Sequence, residues 1–426
     1  MPSDFQLYGK ILERPALRFD FALPRAVYQT AYGGLGIFGP YDKNLFSGAA
    51  INCALLYHQP HGQAAQRLKE SLINGIERFP GFSRMFRMNI ANLDLIPVAV
   101  ETPKGFDAAV TQVIKANYDL VFVIVTQSYG SNPVYASVKS RLLASGIPSQ
   151  FVQASRFQSP NSQLQWVIAN MALSSYAKVG GTPWVVSAPD RTEIVLGISR
   201  ALDRNQKVIV GFTTVFKHNG DYILAYSKSP VTTWGEYEEG LEALVRDALE
   251  EYAKREQAPQ TVVLHFHKRT GRKEVNAVTR AIDSVKPTVQ YALLHLNSYS
   301  GYRLFDTSDM THVPYAGLQV RMSSRQSLLL LDGRSQRASR PFIGTPTVLE
   351  ITMDKSSTMS VDEFPRLVEQ VYNFSSVNWR GFNARSIPVT INYSYLIAQL
   401  LGELESIETW NAIVTNGKLT DKAWFL

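Results

Sequence analysis

Tyr135 and Lys139 stand four residues apart, and on a helix that spacing puts an aromatic ring and an ammonium group on one face, able to meet the same ligand. Gln150 comes just beyond the helix predicted through Ser145, where a returning strand brings its amide towards the same sheet edge. Lys178 closes a later helix, immediately ahead of Val179-Gly180-Gly181, whose two glycines permit close approach of a backbone. Together these offer a ring for stacking on a terminal base, with two cations and an amide for a phosphate. No Asp or Glu occurs between Asp119 and Asp190, a stretch of 70 residues in which average acidic content predicts about six. Compositional drift in a Ser/Gln-rich segment is the bland reading of that gap, and an anion site is the sharper one. The chemistry is that wanted at the 5′ end of a single-stranded nucleic acid.

These residues need a layered scaffold, and the sequence supplies its periods. Gly39-Pro40-Tyr41-Asp42 is a turn that opens the first compact domain. Strands are predicted over 51–57, 119–125 and 149–153, and amphipathic helices over 62–79, 107–116, 132–145 and 162–177. Asn132-Pro133 gives the third helix an N-cap and an N1 proline, and Gly146 ends it. Strand and helix alternate, so residues 41–185 read as an α/β layer domain with a mainly parallel, Rossmann-like sheet, after an N-terminal segment 1–40. Past Thr182-Pro183-Trp184 the order becomes a three-strand meander (192–201, 206–216, 221–227), then a helix (237–255), a strand (261–267), a helix (273–285) and a strand (289–296). That βββαβαβ order is the order of an RNase H-like core, which places the second domain at 186–426.

The whole chain has 426 residues, 45% hydrophobic and 19% charged, enough apolar material for two or three domains and too much for a disordered polymer. Its net charge of +7 excludes a histone-like polycation. Residues 1–185 hold 16 Lys/Arg and 10 Asp/Glu, or +6, so the excess belongs to the first part. Cys53 stands alone, which rules out an intramolecular disulfide and a Cys-rich zinc or iron–sulfur site. The N-terminus lacks a signal-peptide apolar core, and no aliphatic run reaches membrane-spanning length. The expectation is a soluble, cytoplasmic protein without a membrane partner.

Tyr135-x3-Lys139, Leu142-Leu143-x2-Gly146-Ile147-Pro148-Ser149-Gln150 and Lys178-Val179-Gly180-Gly181-Thr182-Pro183-Trp184 resemble, in this order, the MID domain of Argonaute proteins, and the following meander resembles their PIWI domain. The resemblance covers about residues 36–426. With only some 40 residues ahead of it, the chain looks like a short prokaryotic Argonaute built of MID and PIWI. The resemblance implies that Tyr135 stacks on the first guide base while Lys139, Gln150 and Lys178 hold the 5′-phosphate. It also implies a C-terminal carboxylate, here that of Leu426 in the apolar tail Trp424-Phe425-Leu426, bridged to guide phosphates by Mg²⁺ or Mn²⁺. One turn before Lys178, where relatives often carry a basic residue or Gln, the residue is Ser174.

RNase H-like nucleases need carboxylates converging on two metal ions. In the family register Ser199 stands where the first Asp is expected, the strand ending at His267 brings no second Asp, and Tyr395 occupies the position of the late Asp or His. A hydroxyl supplies no charge to offset divalent ions. His265 and His267 share a strand face but lack the carboxylates a hard cation prefers. Glu193 has the parity of Ser199 but lies about 20 Å away along an extended strand. Asp306, Asp309 and Asp332 are loop-borne alternatives. The basic stretch Arg321, Arg325, Arg334, Arg337, Arg340 reads either as a phosphate-backbone contact or as a solubilising loop. The resemblance therefore implies a guide-binding, cleavage-inactive protein with an RNA guide, DNA being the alternative, and a complementary DNA target. It also implies a heterodimer with an APAZ-containing effector fused to SIR2, TIR or a nuclease, in defence against plasmids or phages. Two rivals stay open: a guided endonuclease with relocated metal ligands, and a metabolic α/β enzyme, for which no Gly-rich dinucleotide or Walker pattern is present.

Overall fold

The computed structural model describes residues 8–46, 49–126, 132–157, 163–202, 209–227, 231, 233–256, 259–267, 269–285, 288–335, 344–403 and 407–426. Two compact units emerge, one of residues 17–185, 379–382 and 399–426, the other of 1–16, 186–378 and 383–398. The first strand, β1 (Tyr8–Ile11), belongs to the latter.

The unit around residues 17–185 begins with β2 (Leu17–Arg18), β3 (Val27–Tyr28) and α1 (Ala31–Phe38). Its main layer alternates β4 (Ala50–His58), α2 (Gly62–Asn74), α3 (Phe82–Phe86), β5 (Asn89–Val98), α4 (Pro103–Ala116), β6 (Leu120–Val125), α5 (Pro133–Ala144), β7 (Ser149–Gln153) and α6 (Leu164–Lys178). The four strands lie in the order β5-β4-β6-β7, all parallel. Every residue of β6 is buried, as a strand covered on both faces requires. Helix α5 starts where its signals lie: the Asn132 side chain accepts from the Val134 amide at 2.9 Å and Pro133 follows. Helix α2 stops at Asn74, short of the predicted 79, because Gly75 takes φ +91°.

After β8 (Val185–Val186) the second unit builds β9 (Glu193–Leu202), β10 (Ile209–Lys217), β11 (Tyr222–Ser227), α7 (Trp234–Arg255), β12 (Thr261–His267), α8 (Arg272–Val285) and β13 (Gln290–Asn297). The Thr233/Glu236 capping box starts α7. Strands β14 (Leu318–Arg321), β15 (Gln326–Leu330) and β16 (Val348–Met353) follow, then α9 (Phe364–Asn373), α10 (Val389–Glu403) and α11 (Ile407–Val414). The sheet runs β1-β14-β15-β16-β13-β12-β9-β10-β11. Strand β9 is antiparallel to β10 and parallel to β12, and β12 is parallel to β13, the connectivity of an RNase H-like core. Ile194, Leu196, Ile198, Val262, Leu264 and Phe266 face α7 and α8 in one apolar cluster. The opposite face carries Gly197, Ser199, His265 and His267.

The units depart from the 1–40, 41–185 and 186–426 division. Residues 8–11 extend the second unit's sheet, pairing with Leu318–Arg321, whereas 17–38 cluster with the first unit. Residues 399–426 also join the first: α11 packs on α5, Asn416 donates to the Ala144 carbonyl at 3.0 Å, and Lys418 to Asn117 Oδ1 at 3.0 Å. Local periodicity predicts elements, but these assignments depend on pairings across hundreds of residues.

Candidate nucleic-acid interface

Helix α5, β7 and the end of α6 bring Tyr135, Lys139, Gln150 and Lys178 together in the first unit. Tyr135 is half-buried, its ring edge-on to Phe151 at 4.7 Å between centroids. Lys139 Nζ lies 5.5 Å from the Tyr135 ring centre and 6.0 Å from that of Phe151, so its cation is held against aromatic faces. Lys178 is buried, 1% exposed, and its Nζ donates to the Ser149 carbonyl at 2.8 Å and to Gln150 Oε1 at 2.6 Å. An ammonium has three donors, so one remains for a ligand. Burial, then the charges of Lys139 and Arg380, push the Lys178 pKa well below the usual lysine range. Holding the buried Lys139 and Lys178 cations out of water, with the exposed Arg380 nearby, is costly, and a bound anion offsets that cost.

Arg380 is the member that sequence reasoning missed. It arrives on the short segment 379–382, which clusters with this unit although its neighbours in sequence do not. No local motif signals that return. Ser174, the family departure, does not aim a hydroxyl outward: it is buried and donates to the Asn170 carbonyl at 3.1 Å, with the Trp379 carbonyl at 3.4 Å. The tail comes back to the same helix end, with the Ala423 amide directed at the Ala177 carbonyl at 3.4 Å, and Leu426 is buried.

In the second unit, Ser199 and His267 are half-buried and Tyr395 is 52% exposed. The β9–β12 pairing ends at Ile198–Phe266, one residue short of Ser199 and His267, which places those two at neighbouring positions on one face. His267 packs against Tyr299 at 6.2 Å. His265 is fully buried, its Nδ1 is 2.8 Å from Thr390 Oγ1, and burial lowers its pKa to about 3, so it is a neutral packing residue. The alternative acids are engaged elsewhere. Glu193 receives Arg366 at 2.9 Å and Gln370 at 2.6 Å, Asp306 and Asp309 both pair with Arg334, and Asp332 accepts the Thr347 amide. Among the described residues, no group of three His, Cys, Asp or Glu ligand atoms converges around Ser199, His267 and Tyr395. The basic stretch is not one loop: Arg321 ends β14, Arg325 sits in the turn to β15, and Arg334 is neutralised by its two aspartates. Arg337 and Arg340 lie outside the described residues.

A five-strand RNase H-like core with a parallel α/β unit defines the class of fold, and comparison with known proteins places it. The Piwi domain family model matches residues 120–405, and the chain belongs to that family. Similar curated proteins are a protein argonaute of Cereibacter sphaeroides, 26% identical over 93% of this chain and 56% of its own length, and a Piwi protein of Archaeoglobus fulgidus, 26% identical over 92% and 93%. Among solved structures, the Clostridium butyricum Argonaute bound to a guide DNA and a 19-mer target DNA superposes with TM-score 0.75 at 15% identity, covering 93% of this chain and 53% of that one. Drosophila Piwi gives 0.72 at 16%, covering 98% and 56%. The chain thus spans little more than half the length of three of these four relatives. Among the described residues, no helix is long and apolar enough to cross a membrane.

Proposed function

We propose that this protein is a short, MID–PIWI Argonaute that binds the 5′-phosphorylated end of a guide and recognises a complementary strand without cutting it. The observation that carries the reading is the buried Lys178, hydrogen-bonded to Gln150 and under the charges of Lys139 and Arg380, with Lys139 set over the Tyr135 ring. A phosphate dianion would take the remaining Lys178 donor and offset the three cations, while the first base stacks on Tyr135. The guide supplies sequence recognition and the protein supplies anchoring. We assign RNA as guide and DNA as target by resemblance, with DNA guides as the alternative.

A Mg²⁺ or Mn²⁺ ion at the guide end belongs to the same proposal, held by the Leu426 carboxylate and guide phosphates. Its fit rests on the buried tail returning to the end of α6; Lys178 and the two cations near it, Lys139 and Arg380, would tolerate such an ion only alongside the phosphate. Ser199, His267 and Tyr395 offer no carboxylate for a nuclease centre, while Glu193, Asp306 and Asp309 are held in ion pairs and Asp332 accepts a backbone amide. Output would then come from an APAZ-containing effector partner, with SIR2, TIR or nuclease activity, in cytoplasmic defence against plasmids or phages.

The test compares 5′-phosphate and 5′-hydroxyl guides in binding, with and without EDTA, then offers the loaded protein a matched DNA target with Mg²⁺ or Mn²⁺. Phosphate-dependent binding without target cleavage is expected. Equal affinity for both guides removes the site assignment, and metal-dependent cutting removes the inactive reading. Copurification from native cells identifies the partner.

A further inference from the structure

At the far ends of the first unit's strands, a second cluster uses none of the guide-end residues. β4 ends at His58, and a 3-10 turn, Gln59–His61, carries His61 over the strand end. Glu101 follows β5, and Thr126 follows β6. With β4 central and the chain passing first to β5 and then across to β6, these are the carboxyl ends of parallel strands at the switch in strand order, where α/β sheets open a crevice.

The side chains there converge. His61 Nε2 lies 2.8 Å from Thr126 Oγ1 and 3.6 Å from Glu101 Oε2, and Thr126 Oγ1 donates to Glu101 Oε2 at 2.6 Å. His58 Nε2 sits 3.1 Å from the Ala99 carbonyl, and the two imidazole rings are 5.8 Å apart. Ligand atoms of His58, His61 and Glu101 all fall within 4.8 Å of one another. The second carboxylate oxygen of Glu101 accepts the Thr126 amide at 2.8 Å, which fixes the carboxylate's direction as outer-shell partners do in metal sites. The His61 and Glu101 side chains are only 13% and 14% exposed.

We propose that His58, His61 and Glu101 bind a divalent first-row transition cation of the zinc class. Two imidazoles and one carboxylate are a borderline donor set that suits Zn²⁺ or Mn²⁺ and not Mg²⁺, which keeps to oxygen. The Thr126 hydroxyl bridges His61 and Glu101 by hydrogen bonds, linking the groups that a cation would link. A tetrahedral centre with bonds of about 2.0–2.1 Å needs its ligand atoms roughly 3.4 Å apart. His61 and Glu101 already meet that, and His58 reaches it by turning from the Ala99 carbonyl. The cation leaves a fourth position for water or Thr126 and ties the ends of β4, β5 and β6 together.

The test uses the full chain, stripped by chelator, dialysed and titrated with ZnCl₂ by calorimetry, with Co²⁺ absorption reporting coordination. The expected result is one equivalent bound at micromolar concentration, a raised unfolding temperature, and at least tenfold weaker binding in His61→Gln and Glu101→Gln. His312→Asn, an exposed histidine in the other unit, retains wild-type binding. Both test substitutions keep a hydrogen-bonding end, and their metal-free unfolding temperatures report folding; His58→Gln replaces either variant should it fail to fold. Binding weaker than about 100 μM, or stoichiometric binding unchanged in these variants, overturns the proposal.

Discussion

Replacing Lys178 by Met separates a ligand-binding cation from a structural one. The side chain is buried and donates two hydrogen bonds, to the Ser149 carbonyl and Gln150 Oε1. Were those bonds its purpose, Lys178→Met would take this donor from the buried Ser149 carbonyl, at about 1–3 kcal/mol, and from the half-buried Gln150 amide, and lower stability. The cation, however, sits out of water beside Lys139 and Arg380, and its lowered pKa records that strain. Removing it relieves like-charge repulsion, and apolar replacement of buried charge is often neutral or stabilising. In the free protein these effects oppose, so the unfolding temperature is expected to change little. In the complex, a charge-assisted hydrogen bond of about 2–3 kcal/mol disappears, a loss of roughly 30- to 150-fold in affinity. The assay is fluorescence anisotropy with 5′-phosphate and 5′-hydroxyl guides on wild type and variant, a double cycle whose coupling isolates the phosphate. The 5′-hydroxyl guide should bind both proteins almost equally. An unchanged phosphate-to-hydroxyl ratio in Lys178→Met, or a large stability loss with no change in that ratio, refutes the reasoning.

Tyr135→Ala should weaken guides with either end by about 1–3 kcal/mol through lost base stacking, whereas Lys139→Ala should act mainly on the phosphorylated guide, both read by the same anisotropy titration. Phosphate selectivity should decline as pH rises through the lowered pKa of Lys178, since only the ammonium form carries the charge; a selectivity flat up to pH 10 contradicts this. Acid should destabilise the second unit through His265: with a folded pKa of about 3 against an unfolded value of 6.5, the unfolded chain takes up the proton first. Stability is therefore lost as pH falls below 6.5, by about 1.4 kcal/mol per unit, and urea unfolding of His265→Gln should show a correspondingly flatter acid limb. Gly197→Ala should lower the second unit's unfolding midpoint markedly, because an added Cβ would stand 2.1 Å from the Thr390 carbonyl; unaltered unfolding would show that α10 is not seated against β9.

Residue types and short spacings determined much of this protein by themselves. The Asn132-Pro133 start of α5, the i,i+4 pairing of Tyr135 with Lys139, the alternation of strand and helix, and the βββαβαβ order are local, so they could be read directly. That Ser199 and Tyr395 carry hydroxyls is likewise a fact of sequence, whereas setting them at nuclease ligand positions belongs to the proposed reading. Only the tertiary structure decided what depends on distant pairing: that Arg380 joins Lys178, that residues 399–426 close on the first unit, that β1 and β14–β16 widen the second sheet, and that Ser174 turns its hydroxyl to backbone. His58, His61 and Glu101 show the limit best, since a residue at the end of one strand, another on the turn after it and a third beyond the next strand carry no periodic signal until parallel pairing brings the ends of β4 and β5 side by side. Helical and strand periods encode which face a residue takes, while the loops beyond strand ends acquire their neighbours from the order of strands in the sheet.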